Sequence, residues 1–186
     1  MSPISEEKLK ETTIGKRMQH NAQITLCEYD TKWPEMYRQE AIKIRKVLEE
    51  KVLQLEHVGS TSVPGLISKP IIDILLVVAN SADEQSYVPF LEKVGYVLRI
   101  REPDWHEHRL LKGPGRQINL HVFSQDSSEI KRMLTFRDHL RSDKQDRELY
   151  AKTKRELAKR TWKFVQNYAD AKTHVVEEIL QHAQFH

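Results

Sequence analysis

The chain has 186 residues, with 30 Lys and Arg against 27 Asp and Glu, nine His and a formal net charge of +3. A hydrophobic share of 39% beside 31% charged residues is the balance of a folded globule and excludes a disordered chain; a domain near this length buries around 70% of its unfolded surface. The mild positive tilt argues against a DNA-coating role while leaving room for a local basic pocket. Cys27 is the single cysteine, so no disulfide forms within the chain. The start Met-Ser-Pro-Ile-Ser-Glu-Glu-Lys lacks the apolar core of a signal peptide, and no stretch approaches the ~18 apolar residues of a membrane span. These signs lead us to expect a cytoplasmic protein.

Residues 1–20 carry many charges and few large apolar groups, which predicts a loose or partly helical extension outside a domain spanning 21–186. Gln23 to Glu28 alternates briefly, as a short edge strand would. Asp30 or Thr31 can cap a helix with Pro34 in its first turn, and Tyr37, Ala41, Ile44 and Leu48 then share one face. Val52 to Val58 reads as a strand with Leu53 and Leu55 on one side. It runs into Gly59-Ser60-Thr61-Ser62, where a residue without a Cβ lets the backbone approach a ligand closely. Ser or Thr before Pro64 predicts a helix start, whose unpaired N–H groups suit an anion.

Ile71 to Val78 is apolar throughout except for Asp73, the pattern of a strand covered on both faces. A lone buried carboxylate costs several kcal/mol unless it is paired, neutralised or bound to a cation. Ser81-Ala82-Asp83-Glu84 has the spacing of a capping box, and Gly95 ends the helix it would start. Tyr96 to Arg101 reads as a strand. Arg109 to Lys112 and Gln117 to Phe123 flank Gly113-Pro114-Gly115 as a hairpin, with Ile118, Leu120 and Val122 on one face and Asn119, His121 and Phe123 on the other. Helices are expected over Ser127 to Leu140, Asp143 to about Tyr168, and Asp170 to Ala183. The architecture is thus α/β, an α+β mixed sheet followed by a C-terminal helical segment.

A strand, a Gly-Ser turn, a short helix and a strand bearing an acidic residue resemble the nucleotidyltransferase superfamily. More closely, the chain resembles the GrpB family grouped with it. That resemblance rests on Glu56-His57-Val58-Gly59-Ser60-Thr61-Ser62-Val63-Pro64-Gly65-Leu66, Lys69-Pro70-Ile71-Ile72-Asp73-Ile74, Asn119-Leu120-His121-Val122-Phe123 and Phe136-Arg137-Asp138-His139-Leu140-Arg141. Tyr150, Lys154, Leu157, Tyr168 and Lys172 extend it through the tail. It implies a nucleoside triphosphate held with Mg²⁺ or Mn²⁺ and a nucleotidyl group passed to an unknown acceptor.

Under that reading Asp73 and His121 are the catalytic and metal-binding candidates. Gly59, Ser60, Thr61, Ser62, Lys69, Arg137, Lys154 and Lys172 are candidates to hold phosphate, with Glu56 and His57 in support. Each has a plainer reading. Asp73 could be satisfied by Lys69 or by loop N–H groups, and His121 could be a hydrogen-bonded core residue. His57 could merely orient the loop, Thr61 and Ser62 could be caps, and charges on helices could form a solvated face. A second carboxylate two residues after Asp73 would let the strand hold two cations. Position 75 is Leu, which favours a second reading, a catalytically degenerate domain that binds a nucleotide or another anion as a sensor or adaptor. His106 and His108 alternate beside Glu107 and could touch a metal, though without a third ligand at diagnostic spacing. The absence of aromatics interleaved with basic residues argues against nucleic acid as a partner.

Overall fold

A computed structural model describes residues 6–15 and 19–184. Five strands form one mixed sheet: β1 (Gln54–Val58), β2 (Ile72–Val78), β3 (Val97–Glu102), β4 (His108–Lys112) and β5 (Ile118–Ser124). Their order is β1-β2-β5-β4-β3; β2 and β5 run parallel and every other pair antiparallel. The helices are α1 (Glu6–Thr12), α2 (Trp33–Leu48), α3 (Val88–Glu92), α4 (Ser128–Ser142), α5 (Lys144–Ala158), α6 (Val165–Asp170) and α7 (Thr173–Gln184). No helix among the described residues is long and apolar enough to cross a membrane.

The alternation within each strand decides which layer it feeds. On one face Leu55, Ile72, Ile74, Leu76, Leu120 and Val122 form the main core with Trp33, Ile44 and Leu48 of α2 and Leu91 of α3. On the other face Val58, Leu75, Val77 and Phe123 pack under Ile130, Met133 and Leu134 of α4. A third apolar cluster joins Val63, Leu66 and Ile67, which follow the Gly-Ser turn, to Leu140, Tyr150, Ala151, Val175 and Ile179. The C-terminal helices therefore pack on the segment that leaves the turn.

Several local expectations give way to tertiary contacts. Leu53 precedes β1 and is 51% exposed, whereas Leu55 is buried. No α-helix starts at Pro64; the turn is a single 3-10 turn over Ser60–Ser62, and the apolar residues after it join the tail cluster. Gln23 to Glu28 forms no strand, only an isolated bridge between Cys27 and Ser68. Its Gln23 side chain and Ile24 N–H reach Lys159 O and Ala158 O, closing α5 from outside. That closure, with the Trp162 N–H donating to Ala22 O, ends the helix expected to run from Asp143 to Tyr168 and leaves α6 as a separate short helix. Ser81 caps no helix: its hydroxyl donates to Glu107 O, while Glu84 binds Arg101 and Arg109. Near the N-terminus, α1 buries Leu9, and the Ile14 N–H donates to Arg99 O of β3 at 2.8 Å. Residues 1–5 and 16–18 of the expected extension lie outside the described residues.

The end of β1 is fixed from the α2 side. His57 stacks on Tyr37 with ring centroids 4.9 Å apart, and its Nε2 lies 3.0 Å from the Thr61 hydroxyl, which donates to Ile71 O. Burial pushes the His57 imidazole down to about 4, with Asp73 opposing the fall. An unfolded chain therefore takes up a proton between pH 6.5 and about 4 that the folded chain refuses. This stabilisation is fully present above the unfolded pKa and is lost as pH falls through that window, on the order of 3 kcal/mol at its lower end. His57→Gln should make the fall in urea-unfolding free energy between pH 7 and pH 4 shallower than in the wild type. The same slope in both proteins would contradict the account.

Candidate functional site

Asp73 is the second residue of β2 and lies beside the turn. Gly59 stands at φ +68°, a conformation that favours glycine, and a Cβ there would sit 2.5 Å from Asp73 Oδ2. The missing side chain thus lets backbone rest against the carboxylate. Register sets the neighbours: Asp73 pairs with Asn119, and Leu75 pairs with His121. Asn119 Nδ2 donates to Asp73 Oδ1 at 2.7 Å, and His121 Nε2 is 3.5 Å from the same oxygen. The Asp73 and His121 side chains remain 26% and 24% exposed, so neither is sealed off. Burial pushes the Asp73 carboxyl up, but His121, Asn119 and Lys69 outweigh it and hold the group below its usual range.

A hydrogen-bonded line runs from this pair across the sheet. His121 Nδ1 lies 3.1 Å from His108 Nε2, and His108 Nδ1 lies 2.6 Å from Glu102 Oε2. Period-two alternation on three strands puts these groups on one face. His108 therefore serves as a neighbour of His121 rather than as a partner of His106, and burial pushes it down to about 4 despite Glu102.

Lysines gather around the same carboxylate. Lys112 donates to Asn119 Oδ1. Lys69 and Lys172 lie 5.7 and 4.7 Å from the Tyr168 ring, and Lys154 lies 5.1 Å from the Tyr150 ring. The Asp73 charge reaches all four. Burial pushes Lys69 down to about 8, with Lys172 and Lys112 adding repulsion, and takes Lys172 to about 8. Lys154, 2% exposed and donating to Ile67 O, falls well below the usual lysine range, chiefly by burial and then by Lys172 and Lys69. Tyr150 makes a hydrogen-bonding contact with Ser60, while the buried hydroxyl of Tyr168 has no partner. Asp73 acts on all four amines and Asp170 on Lys172 besides, so four crowded amines share two carboxylates and the site is short of negative charge.

The remaining candidates lie around this site in other roles. The Thr61 hydroxyl is held by His57 and Ile71 O, and the Ser62 hydroxyl donates to Gly59 O at 2.5 Å. Arg137 donates to Glu56 Oε2 at 2.9 Å and to His57 O at 3.0 Å, tying α4 to β1. Arg141 donates twice to Ser62 O, at 3.0 and 2.9 Å. These groups clamp the back of the turn, where Arg38, Arg137, Arg141 and Arg147 line a cavity of about 540 Å³. Sequence reasoning did not single out Asn119 or Lys112 for the site. The strand alternation that exposed His121 carries Asn119 too, and the hairpin pairing brings Lys112 opposite it.

A family model described as GrpB protein matches residues 23–182. The chain is 62% identical over 182 residues to UPF0157 protein BH1888 of Halalkalibacterium halodurans, covering 98% of this chain and 93% of that protein. It is 42% identical over 161 residues to UPF0157 protein SCO7215 of Streptomyces coelicolor, covering 87% and 84%. The crystal structure of conserved protein GrpB from Enterococcus faecalis superposes with a TM-score of 0.76 at 32% identity, over 86% of this chain and 96% of that one. The structure of Cid1 in complex with its short product ApU gives a TM-score of 0.52 at 15% identity, over 72% of this chain and 43% of that one, a likeness of fold. With a match that runs over nearly all of its length, the chain belongs to the GrpB protein family, on a nucleotidyltransferase-like fold.

Proposed function

We propose that the Asp73 site binds a nucleoside triphosphate and transfers its nucleotidyl group to an acceptor hydroxyl. The observation that carries this reading is the gathering of Lys69, Lys112, Lys154 and Lys172 around one carboxylate that backbone Gly59 approaches without a side chain. Polyphosphate is the anion that suits such a cluster, since each added negative charge relieves the repulsion among the amines.

Asp73 fits a single Mg²⁺ or Mn²⁺, because Mg²⁺ is commonly held by one or two carboxylates together with substrate phosphates and water. When bound, the ion would draw charge from the phosphate under attack. A second ion on the same strand does not fit. Leu75, fully buried, packs beneath α4 where another carboxylate would have to stand.

The chain's own groups supply the rest. Gly59 and the Ser60 hydroxyl border the phosphates, and Lys69 and Lys172 neutralise their charge. His121 accepts the proton of the attacking hydroxyl, supported through His108 by Glu102. An oxygen–phosphorus bond forms at the α-phosphate as the bond to the bridging oxygen breaks, and pyrophosphate leaves. Positioning and fixed charge provide most of the acceleration in this scheme. Thr61, Ser62, His57, Glu56 and Arg137 hold the turn in place behind the site.

A second reading, binding without turnover, draws on Leu75. The two separate in a thermal-shift panel of nucleoside triphosphates with and without Mg²⁺ or Mn²⁺, paired with turnover of a labelled nucleotide. Transfer predicts stabilisation that needs the metal and turnover, with Asp73→Asn weakening binding at least about tenfold and abolishing turnover. Metal-independent stabilisation that survives Asp73→Asn, with no turnover in the wild type, would leave only the sensor. Lys69 and Lys172 also set a pH dependence. Both lose their charge as pH rises through about 8, so triphosphate affinity should fall between pH 7 and pH 9. Calorimetry showing equal affinity at both pH values would contradict their role.

A further inference from the structure

A cluster of side chains of metal-ligating type lies where three helices meet, built from residues other than those of the Asp73 site. Asp146, in the first turn of α5, is 9% exposed at its side chain and sits between two imidazoles. His139 Nε2, from the last turn of α4, is 2.6 Å from Asp146 Oδ2. His182 Nδ1, from the last turn of α7, is 3.0 Å from both Asp146 oxygens. Asp143, the residue joining α4 to α5, brings a carboxylate oxygen within 4.8 Å of the His139 and Asp146 donors. Backbone fixes this geometry further: the Asp143 N–H donates to His139 O at 2.7 Å, and the Asp146 N–H donates to Asp143 Oδ1 at 2.8 Å.

We propose that His139, Asp143 and Asp146 bind one transition-metal ion of the zinc class, and that His182, already in contact with Asp146, closes onto it and fastens α7 to the α4–α5 corner. Two imidazoles with carboxylate oxygens select a borderline metal such as Zn²⁺ over Mg²⁺ or Ca²⁺, which prefer oxygen alone. Tetrahedral zinc places its ligand atoms about 3.3 Å apart. The observed separations of 2.6 and 3.0 Å are those of groups sharing protons; as the ion takes the protons' place, Asp143 and His182 close inward on it. Entry is open: His139, Ser142 and Ala183 line a cavity of about 980 Å³. The ion would act on architecture, since α5 carries Tyr150 and Lys154 and the chain leading into α7 carries Lys172. This inference does not depend on nucleotide binding.

The test uses the full chain, stripped with a chelator and dialysed, then titrated with Co²⁺ followed by Zn²⁺ while visible absorption and melting temperature are read. One equivalent of Co²⁺ should give the intense ligand-field band of a tetrahedral site, and Zn²⁺ should displace it and raise the melting temperature. The His182 side chain is 47% exposed, so His182→Gln can be read without disturbing buried Asp146, and it should weaken binding at least about tenfold. Asp73→Asn should leave the band unchanged. The proposal is overturned if no stoichiometric band forms, if His182→Gln and His139→Gln both bind as the wild type does, or if Asp73→Asn alone removes the signal.

Discussion

The structure is organised around the contact of one glycine with one carboxylate. Gly59 holds a left-handed conformation with its Cα turned toward Asp73, and any side chain there would collide with the carboxylate oxygen. The contact lets the chain leave β1 through the 3-10 turn Ser60–Ser62 on its way to β2 while Asp73 stays partly open to solvent. Everything else nearby serves to hold those two backbones at that distance. Tyr37, His57 and Thr61 secure the turn from the main core, and Arg137 and Arg141 secure it from α4. Val63, Leu66 and Ile67 anchor its exit in the helical tail.

Charge follows from that geometry. Asp73 would be costly as an isolated buried anion, and Asn119, His121 and Lys69 keep it ionised. The lysines pay the reverse cost: burial and mutual repulsion lower their affinity for protons, and Asp73, with Asp170 beside Lys172, offsets only part of it. Under the proposed function, a site in that condition suits an anion with more than one charge. Leu75, fixed under α4 by Ile130, Met133 and Leu134, stands where the proposed mechanism would otherwise place a second carboxylate.

Much of this was legible in the sequence, because strands report their environment residue by residue. The apolar run broken by Asp73 predicted a two-sided central strand, and alternation through Asn119, His121 and Phe123 predicted the face that meets it. Helix boundaries were less legible where distant chain supplies the cap. Nothing near Ala158 announces that Gln23 and Ile24 will take the last carbonyls of α5, and nothing near Glu84 announces Arg101 and Arg109. Lys154 was equally opaque. On a helix crowded with mixed charges it reads as part of a solvated face, yet packing α5 against the turn buries it against Ile67 and Tyr150.

The most direct test is a crystal structure of the protein with a non-hydrolysable nucleoside triphosphate and Mn²⁺, read by anomalous scattering. The account predicts a manganese peak coordinated by an Asp73 oxygen, with phosphate oxygens in hydrogen-bond reach of Ser60, Lys69 or Lys172. Triphosphate seated instead among Arg38, Arg137, Arg141 and Arg147 on the far side of the turn, with Asp73 free of metal, would contradict it.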